Sequence, residues 1–190
     1  MADRRALMCG VALAALVVGE AAAQDGYRQP PKDVRDILHA PAPPGVSVSP
    51  TGEHILFVQS DRYPPIADLA EPMLRLAGLR INPKTNGPAR PARVTGIGIL
   101  SLATNKKTDV TLPKGKIGGP NWSADGKRIA FPATRDHGSR LWIVDAFTGQ
   151  AAEVPGVKLN GAIGVPYQWM PDNETLLVQA IPADRKAAPE

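Results

Sequence analysis

The sequence has one cysteine, Cys9, three histidines, and aromatic residues at only 5 % of its 190 positions. A lone cysteine forms no intrachain disulfide and cannot make a thiolate metal site, which needs several cysteines at short spacing. His39, His54 and His137 are far apart and have no second histidine or carboxylate at ligand spacing, so they read as surface or turn residues. Concentrated charge of one sign is also lacking. The 22 basic and 18 acidic residues leave a net charge of +4, the charges read as scattered, and the longest basic cluster is Lys106 and Lys107. A nucleic-acid or anionic-membrane surface needs a concentrated patch, with stacking aromatics in the first case, so neither partner is expected. Gly96 to Gly98 starts like a dinucleotide fingerprint, but it leads into a strand and lacks the third glycine. No catalytic, cofactor-binding or metal-binding residue is assigned, and no cofactor is expected.

The one extended apolar run is Ala6 to Val18, preceded by "MADRR" and followed by small residues at Ala21 and Ala23. This is the plan of a secretory signal peptide, with cleavage expected after Ala23. Thirteen apolar residues are too few for the roughly 20 that a spanning helix needs. The expectation is an exported protein, periplasmic or extracellular, with no membrane attachment after cleavage. Since Cys9 leaves with the leader, cysteine catalysis is excluded as well.

What the sequence does contain is repetition. "VSPTGEHILFV" (Val48 to Val58), "WSADGKRIAFP" (Trp122 to Pro132) and "WMPDNETLLVQ" (Trp169 to Gln179) align without a gap. Each has a large apolar residue, a turn at Thr51-Gly52, Asp125-Gly126 or Asp172-Asn173, a charged residue and an apolar run. Glycine and asparagine supply the positive φ of tight hairpins, and aspartate bonds its own backbone in such turns, which accounts for Asp125 and Asp172. A second hairpin, "LWIVDAFTGQAAEV" (Leu141 to Val154), follows the middle phrase, and "IGILSLATNKKTDV" (Ile97 to Val110) matches it at an offset of 44. Hairpin plus hairpin makes four strands.

The 47 residues from Trp122 to Trp169 are close to the roughly 40 to 45 of a four-stranded propeller blade. "HILFV", "RIAF" and "TLLV" are apolar at consecutive positions, as in sheets covered on both faces. The expected fold is therefore all-β, an incomplete β-propeller of about two and a half four-stranded blades. Its expected parts are the signal peptide at 1–23, an N-terminal extension at 24–45 and the partial propeller at 46–190. Since a propeller closes with four to eight blades, the sequence reads as the beginning of a longer protein.

The 74 residues from Val48 to Trp122 exceed the later spacing by 27, which places an insertion at residues 60–93. There Ile66, Leu69, Ala70, Met73, Leu76 and Ala77 fall at helical spacing. Pro65 and Pro72 are placed to open short helical turns, and Gly78 to close the last. "RINPKTNGPAR" reads as turn and loop. The insertion is thus expected to be partly helical.

The segment "YPPIADLAEPMLRLAGLRINPKTNGPARPARVTGIGI" (Tyr63 to Ile99) resembles the N-terminal region of glutamyl endopeptidases of the prolyl oligopeptidase family. The resemblance continues through "WSADGKRIAF", "LWIVDAFTG", "QWMPDNETLLV" and "IPADR". It implies an exported serine peptidase with an N-terminal propeller and a C-terminal α/β-hydrolase domain, cutting peptides after acidic residues. In that family the nucleophile occupies a Gly-x-Ser-x-Gly elbow. None of the serines at 47, 49, 60, 101, 123 and 139 is flanked in that way, so no catalytic residue carries over and the chain alone is expected to be inactive.

Arg62 and Arg80, inside the insertion, are candidates to face an acidic substrate in the complete enzyme. "NWS" at Asn121 and "NET" at Asn173 match the glycosylation pattern but fall in repeat hairpins, where chance matching accounts for them. Peptide substrates are expected only in the context of the full-length enzyme. The alternative reading is a non-enzymatic periplasmic propeller that binds partner proteins.

Overall fold

The structure is a computed structural model and describes residues 29–186. The signal peptide expected at 1–23 lies outside the described residues. The chain divides into two units, residues 1–40 and 41–190. The first contains α1 (Lys32–His39), which opens directly after Pro31 and carries a Lys32–Asp36 ion pair one turn apart.

The second unit is almost entirely β. In chain order it has β1 (Gly45–Val48), β2 (His54–Ser60), α2 (Ile66–Leu69), β3 (Leu74–Leu76), β4 (Leu79–Asn82) and β5 (Gly87–Pro88). Then come β6 (Val94–Ser101), β7 (Lys106–Asp109), β8 (Lys116–Ile117), β9 (Asn121–Trp122) and β10 (Arg128–Arg135). The last strands are β11 (Gly138–Asp145), β12 (Ala151–Leu159), β13 (Tyr167–Trp169) and β14 (Leu176–Val178). The strands pair antiparallel, and none of the sheets they form closes on itself.

Every repeat phrase forms a hairpin: β1–β2, β9–β10 and β13–β14. Their turns place Gly52, Gly126 and Asn173 at φ of 73°, 66° and 62°. These are left-handed values that glycine adopts freely and asparagine tolerates. The companion phrases form β6–β7 and β11–β12, with Asn105 at φ 51° standing where Gly149 stands at 72°. The turn aspartates act locally. Asp172 Oδ1 accepts the Glu174 and Thr175 N–H at 3.1 and 2.9 Å, and Asp145 Oδ1 accepts those of Phe147 and Thr148 at 3.0 and 2.8 Å.

The larger sheet runs β1-β2-β6-β8-β10-β11-β12, with β7 on β6 and β9 on β10. Two four-stranded groups are therefore continuous through β8, whose Ile117 pairs with both Val94 on β6 and Ala133 on β10. Consecutive apolar residues of β10 go to opposite faces. Phe131 and Ile129 enter a core with Leu56, Ile97, Ile99 and Ile117, while Ala130 packs against Leu141, Leu159 and Tyr167.

Equivalent turns of successive repeats touch. A Cβ added at Gly126 would meet Thr51 Oγ1 at 2.8 Å, and Asn173 Oδ1 accepts the Asp125 N–H at 2.7 Å. One level below, the buried Tyr167 hydroxyl accepts from Asn121 Nδ2 at 3.0 Å. Its single proton is shared between the carbonyls of Ala130 and Gly119, at 2.8 and 3.0 Å. Burial pushes the Tyr167 phenol well above its ordinary pKa, so it remains the protonated donor these carbonyls need.

Two expectations are corrected. The helical spacing inside the insertion yields one helical turn, α2, which Pro65 opens; the remainder is a three-stranded sheet, β3-β4-β5. Leu76 and Arg80 to Asn82 are strand residues, and Ala77 and Gly78, at φ 45° and 85°, make the turn between β3 and β4 rather than a helix end. Leu74 and Leu76 on β3 face Ile81 and Leu79 on β4, an i, i+2 pattern on two paired strands that prevails over the helical spacing, of which only Leu76 is a member. His54, read as a surface or turn residue, is instead buried at the start of β2. Its ring meets Phe147 edge-on at 5.2 Å and lies 6.4 Å from Trp122. The alternation that turns Leu56 into the core turns His54 inward with it.

Candidate functional site

The insertion leaves and rejoins the sheet at a two-point neck. The Asp61 N–H donates to the Arg93 carbonyl at 3.1 Å, and Arg93 Nε donates to Asp61 Oδ2, also at 3.1 Å. Next to this neck the pairing of β2 with β6 slips: Gln59 faces Gly96 and Ser60 faces Val94, which leaves Thr95 on β6 as the bulged residue. From it α2 projects Asp68 and, just beyond, Glu71 toward the sheet. Asp68 accepts from Arg93 Nη1 at 2.6 Å and pairs with Lys116 Nζ at 3.1 Å. Glu71 bonds the same ammonium through one oxygen and accepts from Asn82 Nδ2 at 2.8 Å through the other.

These contacts set the protonation of the network. Burial opposes ionisation of Asp68, but hydrogen bonds from Lys116 and Arg93 outweigh it and hold the carboxyl below its ordinary value. Burial likewise works against a charged Lys116, and Glu71 and Asp68 reverse it, raising the ammonium. Asp61 first, and then Asp68, raises Arg93. All three groups are fixed in their charged forms and used up in holding the insertion down.

Beside this clamp lies a cleft of about 810 Å³, between the insertion and the β10–β11 end of the sheet. Pro72, Pro88 and Pro91 give it stiff apolar walls, and Lys84, Lys114 and Arg135 bring positive charge. Arg135 Nε donates to the Lys114 carbonyl at 2.9 Å, which ties the two sides of that rim together. Among the described residues Lys84, Lys114 and Arg135 have no carboxylate partner. Of the lining carboxylates, Glu71 is committed to Lys116 and Asn82, which leaves Asp136.

Arg80 lies exposed on β4, directly opposite Arg75 on β3, a neighbour the sequence reading did not single out. Strand alternation puts Arg80 on the same side of β4 as Asn82, which lines the cleft. Arg62 is elsewhere, in the neck beside Asp61. His137 is an exposed turn residue at the cleft mouth, and His39 ends α1. Gly98 passes beneath the Lys107 side chain, whose Cε would lie 2.6 Å from an added Cβ; the glycine makes room for packing. Asn121 and Asn173 both spend their side-chain amides on neighbouring repeats. Among the described residues no group of three or more His, Cys, Asp or Glu is arranged to hold a metal ion, and no helix is long and apolar enough to cross a membrane.

The sequence reading missed the cleft, although one signal pointed to it. From Pro72 to Thr108 the chain has no aspartate or glutamate and seven lysines and arginines, five of them between 75 and 93. Charges that look scattered over the whole chain are segregated over this part of it.

No known family profile matches the chain. It is 38 % identical over 180 residues to a probable chloroplastic glutamyl endopeptidase of Oryza sativa subsp. japonica, covering 87 % of this chain and 19 % of that protein. It is also 38 % identical over 185 residues to its counterpart from Arabidopsis thaliana, covering 90 % of this chain and 19 % of that one. Among solved structures, Pyrococcus horikoshii acylaminoacyl peptidase is similar at a TM-score of 0.38 and 16 % identity, over 66 % of this chain and 15 % of that one. Over nearly its whole length the chain is therefore similar to glutamyl endopeptidases, the peptidases its inserted segment resembles, while spanning about a fifth of their length.

Proposed function

We propose that this chain is the N-terminal, non-catalytic part of an exported serine endopeptidase, formed by the opening blades of a β-propeller. Peptide hydrolysis, after acidic residues, is performed by an α/β-hydrolase domain elsewhere in the protein. The observation that carries this reading is the 38 % identity to probable glutamyl endopeptidases over about nine-tenths of the chain. The succession of like hairpins touching through like turns supports the blade arrangement, and the leader-like first 23 residues support export. In this arrangement the propeller covers the hydrolase site, admitting peptides and unfolded segments and excluding folded proteins.

The coding DNA beyond Glu190 provides the test. A frame that continues through further repeats to a Gly-x-Ser-x-Gly elbow is expected, and the full-length product is expected to cleave a fluorogenic peptide after glutamate and spare its glutamine analogue. Replacing the elbow serine with alanine should abolish cleavage. A frame that ends after further repeats without an elbow would overturn the peptidase reading in favour of a binding propeller.

A further inference from the structure

We propose that the cleft between the insertion and the β10–β11 end of the sheet is a docking site for acidic polypeptide segments, with Lys84 and Lys114 pairing with the segment's carboxylates. This deepens the peptidase reading, from which it takes only that the ligand is a polypeptide.

The chemistry of the cleft selects the ligand. Its volume of about 810 Å³ is within the roughly 300–1,000 Å³ of small ligand sites and suits a few residues of extended peptide. Lys84 and Lys114 stand at its rim without a carboxylate partner, as does Arg135, which gives its Nε to the Lys114 carbonyl, and such a cation gains most from an incoming anion. Lys116 is different: Asp68 and Glu71 already saturate it. Beyond the cleft, Arg75 and Arg80 stand opposite one another on β3 and β4, a like-charge cross-strand pair that costs stability until an anion lies between or beside them. On the face shared with Asn82 they extend the positive surface in the direction a longer segment would follow.

A nucleic acid fits less well. The lining has prolines, two threonines and an asparagine but no phenylalanine, tyrosine or tryptophan on which bases stack.

Binding is measured by fluorescence anisotropy on the full chain, with labelled hexaglutamate, hexaglutamine and a single-stranded six-nucleotide DNA as probes. Hexaglutamate should bind at least about tenfold more tightly than hexaglutamine, and its affinity should fall as salt is raised. The double variant Lys84→Gln/Lys114→Gln should weaken hexaglutamate binding by about tenfold or more. The control Lys106→Gln/Lys107→Gln removes the same charge away from the cleft lining and should stay within about twofold.

Neither pair of lysines is buried, so a thermal melt within a few degrees of the parent separates lost binding from lost folding. Equal losses in both double variants, or equal binding of hexaglutamine, would overturn the proposal. DNA binding as tightly as hexaglutamate would replace it with a nucleic-acid site. Because no hydrolysis is read, a failed peptidase assay with this binding intact removes the peptidase reading alone, and the reverse result removes the docking site alone.

Discussion

Within the nine-stranded sheet Ile129 and Phe131 are completely buried, whereas in the three-stranded sheet of the insertion Leu74, Leu76 and Leu79 remain 48, 54 and 41 % exposed. Both regions are antiparallel hairpins with left-handed turns, so backbone geometry does not separate them. What differs is the source of cohesion. The large sheet is covered on two faces by apolar side chains and draws on the hydrophobic effect. The insertion buries little apolar surface and is fixed by the Asp61–Arg93–Asp68–Lys116–Glu71 chain of ion pairs. Stability and attachment are therefore separable properties here, each with its own residues and its own response to pH and salt.

The largest effect should come from removing the sheet's central packing. Phe131→Ala is expected to cost about 3–5 kcal/mol and to lower the urea midpoint of the whole of residues 41–190 together. A loss confined to one hairpin would break the claim that the sheet is a single cohesive body.

Next comes Asp68→Asn, expected to cost about 2 kcal/mol by leaving Lys116 and Arg93 short of a carboxylate. Hydrogen exchange should show protection lost in β3 to β5 while β10 and β11 keep theirs. The same division should appear with pH. Folded Asp68 titrates below its ordinary 3.8, so its contribution is complete above that value and disappears as pH falls through the lower folded value. Lys116 titrates above its ordinary 10.5, so its contribution is complete below that value and is lost as pH rises through the higher folded one. The insertion should thus stay attached between about pH 4 and 10 and loosen ahead of the sheet at either extreme, as limited proteolysis would detect.

A smaller effect separates two glycines of the same phrase. Gly52→Ala meets nothing within 4 Å and should cost about 1 kcal/mol for its positive φ alone. Gly126→Ala must in addition displace Thr51 Oγ1 and should cost about 2 kcal/mol. Equal thermal shifts in the two variants would mean that the touching turns contribute nothing. The smallest effect is a gain: Ala77→Gly relieves a left-handed alanine and should stabilise the insertion hairpin by about 0.5–1 kcal/mol, seen as slower exchange in β3 and β4 alone.

The repeats were legible because their turns are written in residues with one conformational purpose. Gly52, Gly126, Gly149, Asn105 and Asn173 all adopt the positive φ for which glycine and asparagine are suited, and each marks its hairpin. The insertion hairpin was hidden because Ala77 occupies its turn. Alanine at φ 45° gives no warning, and Leu76 beside it fits both the helical spacing and the strand alternation. His54 was misplaced because its burial depends on Phe147 and Trp122, 93 and 68 residues away in sequence. The cleft joins residues from 71 to 137, so no local window contains it; only the acid-free stretch gave it away.

The anchoring of the insertion also sets a schedule for the nascent chain. Lys116, which grips Asp68 and Glu71, is made after them; Gly161, whose N–H donates to the Asn86 carbonyl at 2.9 Å, and Arg185, whose guanidinium donates to Asn86 Oδ1 at 2.8 Å, are made later still. At roughly 5–20 residues per second, the 92 residues from Arg93 to Arg185 take about 5–18 s to synthesise. During that interval the leucine-rich hairpin exists before all the residues that will hold it, so its anchoring is completed only when the last of them has been made.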